Sequence, residues 1–119
     1  MSSARLVSFR SPVEAAESGL PAERVLAGNP RQTISNHFSD DTSQFFAGVW
    51  ESTRGKWRVS YTENEFCHIL AGRVALTSES GERSEFGPGD SFVIPAGYAG
   101  TWETIEDCRK LYAIFEAQK

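Results

Sequence analysis

Cysteine is scarce in this 119-residue chain: there are two, Cys67 and Cys108. Two isolated cysteines form neither a spaced metal motif nor a disulfide framework, so both are expected to be reduced thiols. Basic residues are outnumbered, with 12 Lys and Arg against 16 Asp and Glu, a formal net charge of -4. That balance removes the electrostatic reason to expect nucleic acid, which calls for a basic face. No uninterrupted apolar run approaches the roughly 20 residues of a membrane-spanning helix, so no membrane partner is expected. The opening MSSARLVSFRSP has no apolar core of signal-peptide length, which makes the cytoplasm the default location. There is no G-x-S-x-G elbow, phosphate loop or Cys-x-x-Cys pair. Gly87-Pro88-Gly89-Asp90 is not a nucleotide loop, because the third glycine of G-x-G-x-x-G would fall at Phe92 and no helix pattern follows.

What is present is a chain long enough for one packed core. Its 39% hydrophobic and 24% charged residues are ordinary for a globular domain. It divides into a lead-in, residues 1–30, and a β-rich body, residues 31–119. Ser11-Pro12-Val13-Glu14 predicts a short helix, with Ser11 as N-cap, Pro12 in the first turn and Glu14 as the capping-box acid. Gly19 and Pro21 would end it after about two turns. The body then reads as short strands: Thr33–Phe38, Phe45–Ser52, Gly55–Thr62, Glu65–Ala71, Arg73–Ser78, Arg83–Phe86, Ser91–Ile94, Ala99–Thr104 and Lys110–Glu116. Gly72 suits a tight hairpin turn between two of them, and Glu106-Asp107 marks another turn. Many short strands with few helix signals predict an all-β sandwich or barrel.

Two stretches carry a family resemblance. Tyr61–Gly72, YTENEFCHILAG, and Gly87–Gly100, GPGDSFVIPAGYAG, resemble the two signature motifs of cupins. Trp50, Gly55-x-Trp57, Gly72-Arg73-Val74, Gly89-Asp90-x-Phe92 and Lys110-x-Tyr112 extend the likeness to one small single-domain group. That group is related to the cupin domains of ureidoglycine aminohydrolases and ethanolamine-utilisation proteins. The resemblance implies a cupin jelly-roll β-barrel, here with a short N-terminal helical arm, in which two sheets enclose a ligand-sized cavity. It also implies a homodimer. The first motif of metal-binding cupins supplies two histidines and a glutamate, and the second a third histidine. Here Glu65 remains, Arg58–Tyr61 hold no histidine, and the last position is Gly100. No tightly bound metal and no cofactor are expected, because such sites need about three or four protein ligands.

The resemblance points Glu65 into the barrel. A carboxylate there must be hydrogen-bonded or paired, and it could shuttle a proton or simply order the cavity. Cys67, two residues on, projects from the same strand face. It is either an activated thiol or a small buried apolar residue, the commoner behaviour of free cysteine. His68 faces the opposite way, towards the outer surface or a subunit contact. Lys110 could be the counter-ion of Glu65, a general acid or a grip on a carboxylate substrate, the alternative being a surface lysine. Catalytic candidates are therefore Glu65, Cys67 and Lys110. Trp50, Trp57, Tyr61, Tyr98, Trp102 and Tyr112 are candidates for a ligand-binding wall, with core filling as the alternative for the tryptophans.

Three functions follow. The first is a small-molecule enzyme of the cupin superfamily acting on a small polar nitrogenous or carboxylic metabolite. The reaction implied by resemblance is hydrolytic deamination or a related proton transfer. The second is a non-catalytic module that binds a small metabolite. The third is an accessory subunit whose cavity is filled by side chains. An open cavity reached by Glu65 favours the first two.

Overall fold

The computed structural model describes residues 4–118. Among them nine strands form: β1 (Ala16–Gly19), β2 (Val25–Gly28), β3 (Arg31–Ser39), β4 (Phe45–Ser52), β5 (Gly55–Ser60), β6 (Asn64–Ser78), β7 (Arg83–Phe86), β8 (Ser91–Ile94) and β9 (Ala99–Phe115). Every pairing is antiparallel. Two long strands organise the rest. The late half of β9, Arg109–Phe115, pairs with β4 on one side and the first half of β6 on the other, and β8 extends that layer beyond β6. The early half of β9, Ala99–Thr104, lies between β5 and the second half of β6, flanked by β2 and β7. One sheet thus curls into two layers, the jelly-roll arrangement expected from the sequence.

The curl follows from irregularities in β6. Its register against β9 shifts three times between Ile69 and Val74. Bulges bend a strand and increase its twist, which closes sheets into barrels. Gly72 sits among them with φ +86°, a region open chiefly to glycine. A Cβ there would also overlap the Asp107 carbonyl oxygen. The unusual angle expected at Gly72 is present, but the expected hairpin is not. Glu65–Ala71 and Arg73–Ser78 are one bent strand, and Ala99–Thr104 and Lys110–Glu116 are likewise joined through Glu106-Asp107.

The predicted N-terminal helix is replaced by extended chain. Ser11–Ala15 take no regular structure, β1 pairs along β3, and among the described residues the only helical turn is a 3-10 turn at Ala22–Arg24. Two turns of helix cannot repay the cost of nucleation. The open edge of β3, by contrast, presents backbone groups that β1 satisfies. Segments before residue 30 thereby reach both layers, β1 beside β3 and β2 beside β5.

Between the layers lies the core: Trp57, Cys67, Ile69, Val74, Leu76, Ile94, Trp102 and Cys108. Alternation sets the inward face. In β9 the even-numbered Trp102, Thr104, Cys108, Lys110 and Tyr112 are all buried, so this face holds through the bend. A buried Ser52–Thr104 hydroxyl pair at 2.8 Å satisfies the polar groups beneath the core.

Candidate functional site

One end of the inter-layer space is open. It forms a cavity of about 370 Å³ walled by inward side chains of β3 (Gln32, Ile34, Asn36), β4 (Phe46, Trp50), β5 (Trp57) and β9 (Trp102, Lys110, Tyr112, Ile114), with Tyr61 and Glu65 completing the lining. That volume falls within the roughly 300–1,000 Å³ of small-molecule pockets. Five of the six aromatics anticipated from sequence line it: Trp50, Trp57, Tyr61, Trp102 and Tyr112. Tyr98 does not. Its ring meets Tyr61 edge-on at 6.5 Å from outside the lining.

At the floor, Lys110 Nζ donates to Glu65 Oε2 at 2.8 Å. Both side chains are buried, with 5% and 9% exposure, so water screens this pair little. Cross-strand register brings them together: on the paired strands β6 and β9, Glu65 stands opposite Ile114 and Lys110 opposite Ile69, four rungs apart, and the long lysine stem spans that distance to the carboxylate. Cys67 lies behind them, fully buried. Its thiol donates to Glu65 Oε2 at 3.4 Å and its sulfur accepts from Lys110 at 3.4 Å. The ammonium also sits in a corner of two indoles, 4.6 Å from the Trp50 centroid and 4.4 Å from that of Trp102. These rings meet edge-to-face at 82°, so each turns a face towards the charge.

The electrostatics follow from this enclosure. Burial, the largest effect, works against the charge of Lys110, but Glu65 together with the Cys67 and Tyr61 groups beside it leaves the pKa above the ordinary lysine value. Burial pushes the Cys67 thiol up to about 12, with Lys110 pulling back only in part. Cys67 is therefore a neutral thiol near pH 7, not a thiolate. Burial likewise raises Tyr112 to about 12 and lifts Tyr61 above the usual phenol value.

Several polar groups are already committed. The Trp50 indole N–H donates to Gln32 Oε1 at 3.0 Å, and the Tyr112 hydroxyl donates to Asn36 Oδ1 at 2.7 Å. Others are free: Glu65 Oε1 and the Tyr61 hydroxyl make no hydrogen bond with the described residues. Among those residues His37 Nδ1 is the one buried side-chain nitrogen or oxygen without a partner, so Glu65 Oε1 is not sealed away. His68 takes no part, facing outward with Nδ1 2.7 Å from Ser91 Oγ.

The donor set does not fit a cupin metal centre. Among the described residues no group of three or more His, Cys, Asp or Glu side chains is placed to hold a metal ion. Glu65 already faces an ammonium. Gly100 cannot carry a side chain without overlapping the Thr77 carbonyl oxygen.

Sequence reasoning did not single out Gln32, Ile34, Asn36, Phe46 or Ile114. Period-2 alternation along β3 was the available signal for the first three. It does not say which face turns inward.

The sequence model described as the EutQ-like cupin domain matches residues 39–112. A protein of unknown function of the DUF861 family from Pseudomonas syringae pv. tomato superposes with a TM-score of 0.79 at 24% identity, covering 91% of this chain and 46% of that one. The chain thus spans about half the length of that relative. A DUF861 family protein from Thermotoga maritima is 34% identical over 54% of this chain and 73% of its own, with a TM-score of 0.53. A putative ethanolamine utilization protein Q from Salmonella typhimurium gives 0.65 at 17% identity, covering 91% and 100%. No functionally curated protein matches the chain.

Proposed function

The chain belongs to the EutQ-like cupin family, and from that premise we propose that it is a small-molecule cupin whose ligand is held and protonically worked on by Glu65. One observation carries this reading. A cavity of ligand size is open, and a buried carboxylate lines it with one oxygen uncommitted. A cavity plugged by its own tryptophans would have favoured an accessory subunit. Here the tryptophans form walls, not a plug.

The roles divide as follows. Glu65 Oε1 accepts a proton or hydrogen bond from the ligand, or from a water beside it. Lys110 and Cys67 are positioning residues: both donate to Oε2 and hold the carboxylate with its other oxygen towards the cavity. Trp50, Trp57, Trp102, Tyr61 and Tyr112 supply flat apolar contact. The substrate class is a small nitrogenous or carboxylic metabolite. Of the steps in a hydrolytic deamination, proton removal is the one these residues can perform.

A metabolite library screened by thermal shift tests the reading, since a ligand of the folded state raises apparent stability. Hits should lose their effect in Glu65→Gln. Following each hit by NMR in the presence of the protein then separates an enzyme, which changes the compound, from a binding module, which returns it intact. A screen without hits, or hits indifferent to Glu65→Gln, refutes the assignment.

We also infer a homodimer. The outer face of β4, β9, β6 and β8 exposes Phe45, Phe66, Leu70, Val93 and Phe115, between 38% and 60% accessible. Phe66 lies opposite Val93 and Ala113, and Phe45 opposite Phe115, so the patch is continuous. Large contiguous apolar patches mark interaction sites. The arm covers one end of the same face, where Phe9 stacks on His37 at 4.4 Å and Pro12, Val13 and Val49 line one small cleft. A second copy, meeting the bare part about a two-fold axis, completes the cover.

A further inference from the structure

The cavity resembles an ammonium receptor in composition, with indole faces arranged around a carboxylate. That receptor is already occupied. The Trp50–Trp102 corner and Glu65 Oε2 are taken by the chain's own Lys110 ammonium. Its three N–H groups have partners in Glu65, Cys67 and the indole faces. Among the described residues no other lining the cavity carries a charge: Gln32, Asn36 and eight apolar or aromatic side chains make up the remainder. The lining is therefore neutral in sum.

We infer that this cavity selects a neutral, planar ligand bearing an N–H donor, and discriminates against both cations and anions. The inference rests on the small-molecule reading of the same site and narrows its ligand class. A cation entering would find its carboxylate partner already neutralised and its aromatic faces already used. An anion would meet the uncommitted oxygen of Glu65 and no free positive group. Either ion would shed water without compensation, which is costly in an apolar space. A neutral N–H group, such as that of an amide, lactam or ring nitrogen, meets Glu65 Oε1 as a charge-assisted hydrogen bond. Its flat body lies against the aromatic walls. Tyr61, whose hydroxyl is free, can serve a neighbouring carbonyl. The part of the expected substrate class retained is the nitrogenous one. The carboxylate class is set aside, because the lysine that would grip it is enclosed.

Three probes with one ring and different charge test this: benzamide, benzoate and benzylammonium, titrated by ligand-observed NMR against the wild-type protein. Benzamide is expected to bind at least about tenfold more tightly than either ion, the scale of one charge-assisted hydrogen bond. Equal or tighter binding of benzoate or benzylammonium overturns the inference while leaving a ligand cavity in place. No saturable binding by any of the three overturns the ligand cavity itself, and the inference with it. Lys110→Met supplies a second arm. By vacating the indole corner and freeing Glu65, it should raise affinity for benzylammonium at least about tenfold over wild type. A folded Lys110→Met protein without that gain shows that the corner is no cation subsite and overturns the inference. Should this variant not fold, the order of the three probes on the wild-type protein decides alone.

Discussion

Breaking the Glu65–Lys110 pair from either side should cost far more than removing it whole. Lys110→Met keeps most of the aliphatic stem and deletes the charge. It leaves a carboxylate 9% exposed with only a thiol beside it. Removing one partner of a buried pair typically costs about 3–5 kcal/mol, because an uncompensated charge remains. The loss of two indole contacts adds to this, each about 0.5–2 kcal/mol. A domain of this size has a total stability of about 6–18 kcal/mol, so the variant loses a large fraction of it. Its midpoint should fall by about 15–35 °C. Glu65→Leu strands the ammonium instead, and its cost should be similar. The double variant Glu65→Leu/Lys110→Met removes both charges. Apolar replacement of a buried pair is often neutral or stabilising, so it should return to within about 1–2 kcal/mol of wild type. Urea unfolding followed by tryptophan fluorescence reads all four proteins, since two of the three tryptophans touch the ammonium. The double-mutant cycle should give a coupling of at least about 2 kcal/mol. A cost below about 1 kcal/mol for Lys110→Met, or additive single effects, would show the pair to be hydrated and refute the reasoning.

Three further outcomes are expected. Alkaline pH should destabilise the protein from about pH 9 upward, because the unfolded chain releases the Cys67 proton near the ordinary thiol value of 9.0 while the folded chain keeps it to about 12. Between those values the folded state binds more protons, so stability falls as pH rises, by about 1.4 kcal/mol per unit for this group. Cys108, held up to about 11, acts in the same direction, as does Lys110 above 10.5. Urea midpoints against pH for wild type and Cys67→Ala measure it, and identical slopes from pH 9 to 11 would exclude Cys67 as a contributor. Gly100→Ala should destabilise by about 1–3 kcal/mol, as overpacking does, because the new methyl overlaps the Thr77 carbonyl oxygen. An unchanged midpoint in thermal unfolding would contradict that contact. Light scattering should give the mass of two chains at micromolar concentration and of one chain for Phe66→Asp. A monomeric wild type at high concentration rules out pairing through the outer face.

Much of the fold was readable in residue order. Phe45–Ser52, Arg83–Phe86 and Ser91–Ile94 coincide with β4, β7 and β8, since each is a short alternating run bounded by turn residues. The errors cluster where a local signal has two meanings. Gly72 permits positive φ, which serves a hairpin and a bulge equally. Glu106-Asp107 is polar enough for a turn, yet lies on a bend of one long strand. Ser11-Pro12-Val13-Glu14 is a sound helix start with too little helix behind it. Tyr98 shares its neighbourhood with the motif residues but not their direction, and lies outside the cavity.

Local chemistry, read residue by residue, was enough for the all-β character, which depends on side-chain type and strand alternation. The inward carboxylate at Glu65 and the want of a third ligand at Gly100 came from the resemblance of the two motifs to those of cupins. Long-range pairing alone decided the site. Lys110 reaches Glu65 across 45 positions of sequence, and Tyr112 reaches Asn36 across 76. Strand period tells which residues share a face, but not which face turns inward or which strand lies opposite. That choice is made when the two layers pack over the tryptophans, because their packing buries the ion pair and leaves one oxygen of Glu65 to the cavity.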